Sequence, residues 1–169
     1  MSTMPRHLSL PLDTKTLSSL KTGENYLLSG EIFTARDLAH KRMLELLKRG
    51  ETLPIDLRTA SIFYCGPSPT PPGKICGSVG PTTSSRMDPY TPLLIEYGLR
   101  VMIGKGERST LVQKAIREYG AVYLVCSGGV AALLSRCIVS CETYAWPELG
   151  AEAVYRLMVK DFPVHCALV

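Results

Sequence analysis

The stretch Leu99–Cys126, LRVMIGKGERSTLVQKAIREYGAVYLVC, decides the fold class. Leu99–Ile103 reads as a buried strand that ends in Gly104-Lys105-Gly106. Ser109 is an N-cap for a helix over Thr110–Tyr119, and Gly120 is its stop. Val112, Ala115, Ile116 and Tyr119 recur at helical spacing and form the inner face. Ala121–Cys126 is a second apolar strand. Strand, helix and strand in succession point to a mixed α/β domain. The two glycines let backbone approach a ligand closely, and the lysine between them brings charge. A P-loop is excluded, because G-x-x-x-x-G-K-[ST] is missing and Gly106 follows the lysine.

Upstream lies Gly80-Pro81-Thr82-Thr83-Ser84-Ser85-Arg86-Met87-Asp88-Pro89. Ser and Thr side chains compete for nearby backbone groups, so this run suits a loop whose hydroxyls, N–H groups and arginine converge on an anion. The plain alternative is a surface turn with a solvated arginine. Asp88-Pro89 reads as the cap and first position of a helix running to Tyr97, with Gly98 as its stop. Ile75–Val79 reads as a short strand delivering the chain into the loop, behind the stiff connection Ser68–Gly73. A helix is expected over Ala35–Arg49, with Thr34 as N-cap, Asp37 at the capping-box position and Gly50 as its end. Its apolar face is Ala35, Leu38, Ala39, Met43, Leu46 and Leu47, with Arg36 and His40 one turn apart beside it. A cation in the first turn opposes the helix dipole, and an anion held there removes the conflict. The plain reading is a solvated arginine and a surface histidine.

Further strands are expected near Leu8–Leu12, around Tyr26–Leu28 with a bend at Ser29-Gly30, and at Ala60–Cys65, Ile138–Tyr144 and Phe162–Val169. Short helices are expected at Thr14–Leu20 and Val130–Arg136, and one from Ala151 to about Val159. Charged or hydroxylic groups collect at four element ends: Thr34–His40, Thr82–Arg86, Gly104–Gly106 and Ser127–Gly129. Binding sites in α/β folds sit at such ends.

Composition narrows the classes. A chain of 169 residues, 46% hydrophobic, fits one compact domain over residues 1–169. A net charge of +4 with scattered basic residues argues against nucleic-acid binding and weakly favours an anionic partner. No apolar run is long enough for a membrane helix, and Met1–Leu20 lacks a secretory apolar core, so a cytoplasmic location is expected. The six cysteines (65, 76, 126, 137, 141 and 166) show no zinc spacing and are expected as reduced thiols.

The motifs together resemble the β subunit, or C-terminal domain, of the class I iron–sulfur hydro-lyases, the family of class I fumarases and L-tartrate dehydratases. The matching residues are Ser29-Gly30, Thr34–His40 (TARDLAH), Cys65-Gly66-Pro67, Gly80–Asp88 (GPTTSSRMD), Gly104-Lys105-Gly106 and Glu148–Ala153 (ELGAEA). The resemblance implies a swivelling β/β/α domain working with a larger α subunit. That partner carries a [4Fe-4S] cluster with one iron position open to substrate, and this chain holds no metal. It also implies a small dicarboxylate substrate, carboxylate ligands at Arg36, Arg86 and Lys105, a catalytic base at Thr82, and Thr83 lining the same loop. His40 and Asp37 belong to the motif as supports. Such a chain is expected to hydrate fumarate to L-malate reversibly, within a hetero-oligomer and inactive alone. The alternatives are a dehydratase subunit for L-tartrate or a methylated dicarboxylate, or a stand-alone dicarboxylate-binding domain. A protein binding metal through its own cysteines is a third possibility.

Overall fold

The computed structural model describes residues 4–126 and 131–169 of the chain. The elements run β1 (Arg6–Ser9), α1 (Thr14–Ser19), β2 (Asn25–Thr34), α2 (Asp37–Lys48), β3 (Ser61–Phe63), α3 (Thr91–Glu96), β4 (Val101–Gly104), α4 (Thr110–Tyr119), β5 (Val122–Val125), α5 (Ala131–Ser135), β6 (Ile138–Ala145) and β7 (Val154–Leu168). Two 3-10 turns, Ser84–Met87 and Pro147–Glu152, complete the described elements. The expected Ser127-Gly128-Gly129 turn lies outside the described residues.

The sheet order is β1-β2-β3-β4-β5-β7-β6, and β2 also pairs with β7. That extra pairing closes the sheet into a barrel. The pairs β1–β2, β2–β3, β3–β4 and β4–β5 are parallel, while β7 runs antiparallel to β2, β5 and β6. Alternation along the strands divides the core in two. Phe63, Ile103, Leu124, Leu28, Ile32 and Phe162 share one cluster, in which the Phe63 and Phe162 rings meet at 5.4 Å. Ile62, Tyr64, Met102 and Tyr123 belong to the other, with Ala39 and Met43 of α2, Leu94 and Ile95 of α3, and Val112, Ala115 and Ile116 of α4.

The mixed α/β class and the capped α4 agree with expectation: Ser109 accepts from the Val112 N–H, and Gly120 ends the helix at φ 71°. Tyr119 departs from its expected inner position; it is 37% exposed, with its ring beneath Arg100. The bend at Ser29-Gly30 is a register shift between Leu28 and Gly30 in the β2–β7 ladder.

Four expectations about elements and caps are overturned. No helix covers Ala151–Val159; from Val154 onward the chain is β7, because it pairs with both β2 and β6. Ile75–Val79 is not a strand. The loop bonds to itself, with Ser68 and Ser78 exchanging N–H contacts at 3.1 and 2.7 Å. Asp88 does not cap a helix, since a 3-10 turn precedes it and α3 starts only at Thr91. Thr34 does not cap α2 but ends β2, where its hydroxyl accepts from the Tyr155 N–H at 3.0 Å; Arg36 occupies the cap position. On α2 itself, Leu38 is 45% exposed and turned away from the apolar face.

All six cysteines are free thiols. A hydrogen bond between Cys76 and Cys141 pulls the Cys76 thiol down to about 7, while burial pushes Cys65 and Cys126 up to about 12. Among the described residues no helix is long and apolar enough to cross a membrane.

Two constraints tie the fold to the site. At Gly104 a Cβ would overlap the Ser84 hydroxyl and come within 2.7 Å of the Tyr64 ring. His40, expected on the helix surface, is fully buried against the Tyr64 ring at 5.4 Å. Burial depresses its pKa to about 4, so the imidazole is neutral in the folded chain.

Gly104→Ala is expected to destabilise the chain by about 1–3 kcal/mol through overpacking, a fall of several degrees in melting temperature. An unchanged melting curve contradicts the close approach. His40 has a folded pKa below its unfolded value, so its contribution to stability is full above about 6.5 and is lost as pH falls toward 4. Urea midpoints across that window, compared with His40→Gln, check this; equal acid sensitivity in both proteins contradicts it.

Candidate functional site

Parallel strands deliver their carboxyl ends to one rim of the barrel, and three of the four sequence clusters, Thr34–His40, Thr82–Arg86 and Gly104–Gly106, gather there. The Ala35 N–H bonds to the Phe63 carbonyl at the end of β3. The Tyr64 N–H bonds to Ile103 of β4, and the Thr82 N–H bonds to the Tyr64 carbonyl at 2.7 Å. The hydroxyl loop therefore returns to the rim directly above β3. Thr83 and Lys105 then form an isolated parallel bridge. The Ser84 N–H donates to the Lys105 carbonyl at 2.9 Å, and the Lys105 N–H donates to the Ser84 hydroxyl at 3.0 Å.

Arg36 sits where extended backbone turns into α2. Its side chain lies across Gly66, where a Cβ would stand 2.9 Å from Arg36 Cδ and 3.0 Å from the Ala151 carbonyl. The Cys65-Gly66-Pro67 motif thus has a steric reason: only glycine leaves room for the arginine. Asp37 lies between two cations. Its Oδ1 accepts from Arg86 Nε at 3.2 Å, and its Oδ2 lies 3.1 Å from Arg86 Nη2 and 3.7 Å from Arg36 Nη2. The Oδ2 contacts are electrostatic rather than hydrogen bonds, and neither Oδ2 nor Arg36 Nε has a hydrogen-bond partner although both atoms are buried. Arg86 is half exposed, and Lys105 is exposed with no ion pair among the described residues.

His40 supports the same corner. Its Nδ1–H donates to the Arg36 carbonyl at 2.8 Å, and its backbone N–H donates to the same oxygen at 2.9 Å. Neutral Nε2 is buried and has no hydrogen-bond partner. The Pro147–Glu152 turn closes the side: the Glu152 carboxylate accepts from the Leu38 N–H at 3.2 Å, in the first turn of α2, and Glu148 pairs with Arg42. Sequence reasoning gave Glu148 and Glu152 no individual role, although both lie in the quoted ELGAEA motif.

The structure therefore brings Arg36, Asp37 and Arg86 into contact, places His40 behind Arg36, and joins Thr83 to Lys105 through backbone. Thr82 is half-buried beside them, held by its N–H. Such a rim presents positive charge and hydroxyls to an anion, with the Asp37 carboxylate already bonded by Arg86 and facing Arg36. Among the described residues no group of three or more His, Cys, Asp or Glu side chains is placed to hold a metal. A concavity of about 850 Å³ lies elsewhere; it is lined by Leu12, Arg58, Tyr97, Arg100 and Tyr119 among others and includes no residue of the rim.

Known proteins share this chain's pattern along nearly its whole length. The family model described as Fumarase C-terminus matches residues 4–168. Fumarate hydratase 2 of Leishmania major is 41% identical over 160 residues, covering 92% of this chain and 28% of that protein. The anaerobic class I fumarate hydratase of Escherichia coli is 42% identical over 149 residues, covering 87% of this chain and 27% of that protein. The chain thus spans a little over a quarter of the length of these fumarate hydratases. L(+)-tartrate dehydratase subunit beta of Escherichia coli is 31% identical over 163 residues, covering 94% of this chain and 80% of that subunit. The rim of arginines, lysine and threonines is therefore carried on a chain that belongs to the Fumarase C-terminus family.

Proposed function

We propose that this chain is the β-subunit-like part of a class I hydro-lyase that hydrates fumarate to L-malate reversibly, at a site completed by a larger cluster-bearing α subunit. The observation that carries this reading is the convergence of Arg36 and Arg86 on the single carboxylate of Asp37, beside Lys105 and the Thr82-Thr83 loop. On this reading residues 1–169 form one swivelling β/β/α domain that closes over a small dicarboxylate, inside a hetero-oligomer in the cytoplasm, and the chain alone is inactive. On the family resemblance the [4Fe-4S] cluster belongs to the partner. Where that cluster is bound it supplies a Lewis-acidic iron.

This chain's own residues handle charge and a proton. Taking a proton from the carbon beside a carboxylate builds negative charge on that carboxylate; in the hydration direction the same charge builds as hydroxide adds to the double bond and is discharged when the carbon takes up the proton. Arg36, Arg86 and Lys105 stabilise that charge more than they stabilise the ground state, which lowers the barrier. The arginines grip the carboxylate planes bidentately, and Lys105 contributes a point charge. Asp37 holds both guanidiniums in register, and His40 fixes the backbone of Arg36. On this reading Thr82 is the base; an unperturbed hydroxyl is a weak one, so nearby positive charge must favour its deprotonated form. The relative named for tartrate favours a second reading, a β subunit acting on L-tartrate with the same residues.

Reconstitution tests this. The chain is co-expressed with a cluster-bearing α subunit and purified without oxygen, and fumarate is followed by ultraviolet absorbance. Activity is expected only with both chains, and Arg86→Ala or Lys105→Ala should lower kcat/KM by about a hundredfold or more. Loss of tartrate in place of fumarate selects the second reading. Tight dicarboxylate binding by the isolated chain, with no turnover in the mixture, contradicts both and leaves a binding domain.

A further inference from the structure

Behind the rim lies a cation with no place in the proposed reaction. Among the described residues Arg108 is the one Arg or Lys that is buried, at 4% exposure. It stands three residues beyond Lys105, in the turn between β4 and α4. Its guanidinium lies between two aromatic rings, 5.1 Å from Tyr64 and 4.7 Å from Tyr123. Nε donates to Asp88 Oδ1 at 2.8 Å, and Nη2 donates to the Thr91 hydroxyl at 3.0 Å. Both partners lead back to the turn that carries Arg86. Asp88 follows that turn directly, and the Thr91 hydroxyl donates to the Met87 carbonyl at 2.7 Å. The second oxygen of Asp88 accepts from the Ser109 N–H at 2.7 Å, so one carboxylate spans both loops.

Tyr123 closes the circuit. Its hydroxyl contacts Ser84 Oγ at 2.7 Å and the Gly106 carbonyl at 2.8 Å. A carbonyl only accepts, so the single Tyr123 proton goes to Gly106 and the Ser84 proton goes to Tyr123. Burial raises the Tyr123 pKa to about 12, which keeps that proton in place. Ser84 thus receives the Lys105 N–H and donates to Tyr123, whose ring rests on Arg108.

A buried ion pair adds little net stability compared with apolar side chains of the same shape, so fold stability alone does not account for it. What a buried pair can supply is a fixed geometry. We propose that Arg108 is a positioning residue: through Asp88, Thr91 and Tyr123 it sets the Thr83–Arg86 turn against Lys105, so that the cations of the rim meet an anion at one spacing. The positional part stands on this chain alone. Its consequence for turnover rests on the proposed hydro-lyase reading.

The test removes both charges together, as Arg108→Met with Asp88→Asn, so that neither is left buried alone. Hydrogen exchange of the chain is measured amide by amide. Ser84 and Lys105, which bond to each other, are expected to exchange about tenfold faster or more, while Val122 and Cys166, held in the sheet, change by less than about threefold. No change at Ser84 and Lys105 overturns the proposal. Equal acceleration at all four amides also overturns it, since it makes the pair a general stabiliser. In the assembled enzyme the same variant should raise KM by about tenfold, and in an Arg86→Ala background it should add less than about threefold, because the two act through one contact. Faster local exchange with unchanged kcat and KM would overturn the link to turnover. An inactive wild-type assembly would count against the hydro-lyase reading instead, and the exchange result would still decide the positional claim.

Discussion

The rim depends on one short-range exchange, in which Ser84 and Lys105 bond to each other through backbone and hydroxyl above the end of β4. The exchange is possible only because residue 104 has no side chain to fill the space that Ser84 Oγ occupies. It fixes the hydroxyl loop to the sheet, and through the loop it fixes Thr82, Thr83 and Arg86. A loop of nearly twenty residues after β3 would otherwise wander. Here it returns to the rim and is bonded to Tyr64 and Lys105 before the chain enters α3.

Electrostatics on the rim follow from that placement. Two arginines from distant parts of the sequence share Asp37, while Lys105 has no ion pair among the described residues. Asp37 offsets part of the charge, bonds the Arg86 guanidinium and faces that of Arg36, so on the proposed reading an arriving dicarboxylate meets groups already oriented. Burial works in the opposite sense for His40: neutral imidazole costs less in that environment than imidazolium, so the ring acts as a donor to the Arg36 carbonyl rather than as a further cation.

Much of this was legible because it is local. The Ser109 cap, the Gly120 stop and the apolar face of α4 are signals within a dozen residues, and the structure follows them apart from Tyr119. The TARDLAH and GPTTSSRMD motifs brought Arg36, Asp37, His40, Thr82, Thr83 and Arg86 to attention, and contacts join most of them. What was missed depends on partners far along the chain. Asp88 reads as a helix cap until Arg108, twenty residues on, is seen to take its carboxylate. Thr34 reads as a cap until Tyr155 claims its hydroxyl. Val154–Val159 carries a pattern compatible with a helix, and only pairing with β2 and β6 makes it strand. Arg108 itself gave no local signal, since burial of a lone arginine is a property of the assembled core.

A crystal structure of this chain assembled with its proposed cluster-bearing partner and a bound dicarboxylate tests the shared rim most directly. A substrate carboxylate is expected within hydrogen-bond distance of the Arg36 and Arg86 guanidiniums, with the Lys105 ammonium and the Thr82 hydroxyl facing the same molecule. A dicarboxylate bound away from this rim, or held by partner residues alone with Arg86 still paired only to Asp37, would contradict it.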